Sequence, residues 1–74
     1  MKLNIGCGYR VLPGFTNVDK YPASDNVIFG DLEGGLELPD GCASFILLDN
    51  VIEHLSDIPL ALKECSRLLN AGGT

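Results

Sequence analysis

A glycine turn and an acid placed close behind it govern what this chain can fold into. Gly6-Cys7-Gly8 follows the first apolar run, and Asp19 closes the second, eleven residues after Gly8. The connection and the second run must both fit that interval. The connection, Tyr9 to Gly14, is too short for a full crossover helix, since such crossovers normally need ~10–12 residues. Glycine lets the backbone turn sharply and approach a ligand because it carries no Cβ. Amides exposed at such a turn can receive a carboxylate or a phosphate. Alone, a Gly-x-Gly is equally well read as a tight turn.

Asp19 makes the turn more specific. An acid at the carboxyl end of a strand beside the first can accept both ribose hydroxyls of an adenosine cofactor. A surface Asp ending a strand is also common. The spacing bears on which cofactor this would be. The dinucleotide fingerprint requires Gly-x-Gly-x-x-Gly and an acid ~20 residues further on. Here Val11 stands where the third glycine belongs, and Asp19 comes too early. NAD is therefore disfavoured.

The rest of the chain reads as a small α/β domain. Apolar runs at Leu3 to Gly6, Phe15 to Val18, Asn26 to Phe29 and Ala43 to Leu48 are separated by turn residues. The last is almost continuously apolar, as a strand covered on both faces would be. Ile58, Ala61, Leu62, Cys65, Leu68 and Leu69 recur at helical spacing and predict a helix over Ile58 to Leu69. Ser56 or Asp57 can cap it, Pro59 suits its first turn, and Gly72-Gly73 lies past its end. A shorter helical turn is expected over Asn50 to Leu55, where Asn50 and Glu53 resemble a capping box. Glu33 to Gly41 reads as loop. Strands followed by helices imply a mostly parallel, α/β, Rossmann-like sheet.

Composition narrows the classes. With 74 residues the chain holds at most one domain. Its net charge of −5, with Arg10, Lys20, Lys63 and Arg67 scattered, argues against direct nucleic-acid binding. No apolar run approaches the ~20 residues that span a bilayer. No signal-peptide core follows the N-terminus. Cys7, Cys42 and Cys65 form no Cys-x-x-Cys pair, which suits a reducing, cytoplasmic setting.

Each strand end carries a polar residue or a glycine, and open α/β sheets bind ligands at those ends. Gly30-Asp31-Leu32 closes the third run. Asp31 could bond an adenine amino group and Leu32 could pack on the ring, although a plain turn explains the tripeptide as well. Asp49-Asn50 closes the fourth. His54, the sole histidine, is a candidate general base, or it merely packs or caps. Asp49, Glu53 and His54 match no metal-ligand spacing, so no metal is expected.

Together these segments resemble a known family. The segments are Lys2-Leu3-Asn4-Ile5-Gly6-Cys7-Gly8, Phe15-Thr16-Asn17-Val18-Asp19, Gly30-Asp31-Leu32-Glu33, Leu36 to Leu48, Asn50-Val51-Ile52-Glu53-His54-Leu55 and Glu64 to Gly73. In order, they are similar to the motifs of the class I S-adenosylmethionine-dependent methyltransferases, in particular the "type 11" group. The resemblance implies that Gly6, Cys7 and Gly8 line the methionine moiety of S-adenosyl-L-methionine. It implies that Asp19 holds the ribose hydroxyls, that Asp31 and Leu32 flank the adenine, and that Asn50 lies near the methionine end. Arg10 stands where the family often has a third glycine.

The resemblance also implies a partial domain, the N-terminal cofactor-binding half, with the chain stopping where the family's fifth strand begins. The fourth strand would then lie at a sheet edge, which invites pairing with another chain and a homo-oligomer. Two functional expectations follow: methyl transfer to an acceptor the sequence does not name, or cofactor binding or interaction without activity. A purely structural α/β fragment is the third expectation, and it predicts no cofactor binding.

Overall fold

The four apolar runs form four short parallel strands, seen in a computed structural model that describes residues 1–49 and 51–74. They are β1 (Lys2–Ile5), β2 (Thr16–Asp19), β3 (Val27–Phe29) and β4 (Phe45–Leu48). The sheet order is β3-β2-β1-β4, and every pairing is parallel. β1 is thus flanked on both sides, which fits its three buried residues, Leu3, Asn4 and Ile5.

One face of the sheet meets α1 (Ile58–Leu68), the single α-helix among the described residues. Leu3, Ile5 and Val18 pack with Ala61, Cys65 and Leu68, and Leu32, Leu36 and Ala43, outside the strands and the helix, complete this core. The three helix residues recur every three or four positions, so they share one stripe. Asp57 caps the helix by accepting a hydrogen bond from the Leu60 amide at 3.1 Å, and Pro59 lies in the first turn. After Leu68 the chain becomes extended at Leu69, and Gly72 takes a left-handed φ of 81° in the turn beyond. The helical turn expected over 50–55 is a 3₁₀ turn, Ile52–His54. The Asn50 half of the expected capping box lies outside the described residues.

β4 differs from its sequence reading. Its four residues are half-buried and not covered on both faces. The strand is the outermost of the sheet, so only one edge pairs with β1. On the face away from α1, the Phe15 ring meets Phe45 edge-on at 6.0 Å. Ala43, expected in the strand, pairs instead with Leu69 in an isolated bridge. Thr74 lies along the outer edge, donating to the Ser44 carbonyl at 3.2 Å and accepting from the Ile46 amide at 2.7 Å.

Two asparagines hold the helix-free connection from β1 to β2. The Asn4 amide donates to Asn17 Oδ1 and to the Arg10 carbonyl, both at 2.9 Å. Asn17 donates to the Leu12 and Phe15 carbonyls at 3.1 Å, and its Oδ1 accepts from the Leu12 amide at 3.0 Å. Both side chains are buried, so these bonds satisfy groups that would otherwise be costly to desolvate.

A second polar anchor ties the 33–41 loop to α1. Arg67 donates to Glu64, to Asp40 and to the Leu36 and Leu38 carbonyls. Glu64 also accepts from the Leu36 amide at 2.6 Å. Among the described residues no helix is long and apolar enough to cross a membrane.

Two outcomes test this packing. Leu68 is fully buried in the core, so Leu68→Ala should lower unfolding stability by about 2–5 kcal/mol in urea titration. The Arg67 guanidinium, ahead of any other influence, holds the Glu64 carboxyl below its usual range. A lowered folded pKa contributes stability above the unfolded value, and that contribution is lost as pH falls through the folded pKa. Urea midpoints should therefore fall on acidification below about pH 4.3, the ordinary glutamate value. Glu64→Gln should remove part of that slope.

Candidate functional site

The carboxyl ends of all four strands open on one side, and the Asp19 carboxylate is fixed at their centre. Its Oδ2 accepts from the Gly8 amide and its Oδ1 from the Tyr21 amide, both at 2.8 Å. A carboxylate offers about four acceptor sites. Two are taken, which leaves one on each oxygen for an outside donor.

Beside it lies a cleft of about 440 Å³, whose wall includes Gly6, Asp19, Tyr21, Asp31, Val51 and His54. That volume falls within the ~300–1,000 Å³ of small-molecule sites. The cleft thus gathers residues following β1, β2, β3 and β4. Acids outnumber bases on its wall: Asp19, Asp31 and Glu33 face Lys20. Lys20 Nζ lies 3.8 Å from Asp31 Oδ2. Such a mouth favours a ligand carrying positive charge.

The glycine turn differs from the sequence reading in one important respect. Its amides were expected to be open to an anion. Instead, Gly6 and Cys7 donate to the Val18 carbonyl at 2.8 and 3.2 Å, and Gly8 donates to Asp19. The short crossover draws the turn against β2 and occupies all three donors. Gly6 is still needed as glycine. Its φ is 73°, and a Cβ there would collide with the Val51 side chain.

The remaining expected residues fall as follows. Asp31 lines the cleft and accepts from the Glu33 amide at 3.1 Å. Leu32 also lines it, although only 4% of the residue is exposed and most of it belongs to the core. Cys7 is buried and lines a smaller adjoining cleft with Asn4, Gly6, Arg10 and Asp49. Burial first, then the charge of Asp19, pushes its thiol pKa up, so it stays protonated and serves as packing. His54 is exposed on the wall of the larger cleft. Asn50 lies outside the described residues.

The sequence reading missed Tyr21, Val51 and the pairing of Arg10 with Asp49 at 2.8 Å. Tyr21 carries a sequence signal only in its place two residues after Asp19, where a backbone amide can reach an Asp side chain. The other two depend on contacts about 40 residues apart in the chain, which no local pattern encodes.

Residues 13–74 match a family model described as a methyltransferase domain. No curated protein matches the chain.

The glycine geometry predicts an unequal pair of variants. Gly6→Ala and Gly8→Ala both place a Cβ at positive φ, which costs about 1–2 kcal/mol each. A Cβ at Gly8 meets nothing within 4 Å, whereas one at Gly6 meets Val51. Thermal unfolding should therefore show the larger loss for Gly6→Ala.

Proposed function

The chain belongs to the methyltransferase-domain family, and from that premise we propose that it binds S-adenosyl-L-methionine across the carboxyl ends of its strands and serves methyl transfer. The Asp19 carboxylate carries this reading. It stands at the end of β2, held by two amides, with one acceptor site per oxygen left for two ribose hydroxyls. Asp31 and the exposed edge of Leu32, next along the cleft, suit the adenine. Gly6 gives the close backbone approach needed beside the sulfonium side of the ligand.

The occupied turn amides also separate this ligand from a dinucleotide. A pyrophosphate needs free amides at a glycine turn that opens a helix. Here the amides bond β2, and the chain goes on into the asparagine-held loop. S-adenosylmethionine has no pyrophosphate to seat at such a turn, and the positive charge of its sulfonium suits the acidic cleft.

When bound, the cofactor supplies a methyl group on a positively charged sulfur. The protein's part is to hold the nucleoside so that an acceptor meets the methyl in line, which is mostly a matter of position. Where the acceptor must lose a proton, the position of His54 on the same wall supports it as the candidate base.

Titration calorimetry tests the reading. S-adenosylhomocysteine should bind and NAD should not. Asp19→Ala should weaken S-adenosylhomocysteine by about 10- to 100-fold, as expected on losing a charged hydrogen-bond acceptor. Binding of NAD without S-adenosylhomocysteine would overturn the reading, and unchanged affinity would remove Asp19 from the site.

A further inference from the structure

The larger cleft has two rims that come from separate parts of the chain. One is the turn after β3, Gly30 to Glu33. The other is the segment leading into α1, which places Val51, His54 and Leu55 on the wall. This second rim has little to hold it. Its 3₁₀ turn, Ile52–His54, buries no residue and has no side-chain cap. Two local bonds close the turn, from the His54 amide to the Val51 carbonyl at 2.9 Å and from the Leu55 amide to the Ile52 carbonyl at 3.1 Å. Leu55, partly buried, packs against the core.

Among the described residues one hydrogen bond joins the turn after β3 to this segment. The Asp57 amide donates to Glu33 Oε2 at 2.6 Å. Asp57 is the N-cap of α1, and its side chain accepts from the Leu60 amide. In a capping box the residue three positions beyond the cap is a glutamate or glutamine that reaches back to the cap's own amide. Here that residue is Leu60, which has no side-chain acceptor. Glu33, 24 residues before Asp57, takes that place. The cap amide lies where the incoming chain meets the helix, so its bond fixes the direction from which residues 51–56 arrive.

Glu33 is itself set on a firm base. Its amide donates to Asp31 Oδ1 at 3.1 Å, and the Gly34 amide donates to the Asp31 carbonyl at 3.0 Å. A closed turn at the end of β3 therefore carries the carboxylate that meets α1. We propose that Glu33 is a positioning residue: by completing the cap of α1 from the β3 turn, it holds the 51–56 segment, and His54 with it, as a fixed rim of the cleft. A nucleoside in the cleft is then enclosed between two tied rims, and the tie slows its release. That consequence rests on the function proposed above, whereas the tie does not.

Amide hydrogen exchange reads the tie without any ligand. Glu33→Ala should speed exchange at His54, Leu55 and Asp57 by about 3- to 10-fold, the range for losing one hydrogen bond, and leave Cys65 and Leu68 in α1 unchanged. Glu33→Gln keeps an acceptor and should restore most of the protection. Glu33→Asp keeps the charge but is one methylene short, so it should not, and it carries the same test should Glu33→Ala fail to fold. Surface plasmon resonance on the immobilised chain should show S-adenosylhomocysteine leaving Glu33→Ala faster by a similar factor, with Glu33→Gln close to the wild type. Unchanged exchange at residues 54–57, or an equal rise throughout α1, would overturn the proposal. Faster local exchange with an unchanged release rate would overturn the enclosing role. If the wild-type chain binds no S-adenosylhomocysteine, the proposed function fails, and the exchange data still decide the tie.

Discussion

The hydrogen bond between Asn4 and Asn17 is the constraint on which the site depends. Parallel strands usually need a helix to cross from one to the next. Here the crossover has no room for one, and two buried side-chain amides hold the connecting loop in its place. They do so from the interior of adjacent strands, Asn4 on β1 and Asn17 on β2. Because the loop is short and fixed, the glycine turn lies against β2, and its amides bond Val18 and Asp19. The same closeness orients the Asp19 carboxylate. Without the asparagine pair, the turn, the acid and the Arg10 backbone would each lose a fixed reference.

Polar structure is divided between two ends of the molecule. At the cleft, Asp19, Asp31 and Glu33 make an acidic wall whose acceptor sites are only partly used. At the other end, Arg67 bridges Glu64 and Asp40 and closes the 33–41 loop over α1. Those charges are paired and serve to position Leu36, which packs in the core. Among the described residues no buried side-chain nitrogen or oxygen lacks a partner. The exposed Arg10–Asp49 pair differs from the Arg67 group because it stands at the cleft and is bound by a single contact.

Much of this was legible in the sequence. The apolar runs between turn residues locate all four strands within a few residues, and the three- and four-residue spacing locates α1, with Asp57 one of the two caps the sequence offers. Those signals are local. The four strand ends pointed to one side, because parallel order makes them do so, and the family match to residues 13–74 agrees with that order. The turn amides were read incorrectly, because a Gly-x-Gly shows that a turn exists but not which carbonyl its amides reach. Asn17 looked like an ordinary strand residue, and its role appears only once β1 lies beside it. The Arg67 anchor and the Arg10–Asp49 pair join segments about 30 and 40 residues apart and leave no periodic trace.

An adenosine cofactor is proposed to lie over Asp19, across the strand ends. Backbone amide chemical shifts during titration with S-adenosylhomocysteine test it most directly. The largest changes should fall at Gly8 and Tyr21, whose amides bond the Asp19 carboxylate, with further changes from Gly30 to Leu32. Changes confined to the neighbouring groove, around Gly34, Gly35 and Lys63 beside Arg67, would count against it. So would the absence of any change at saturating ligand.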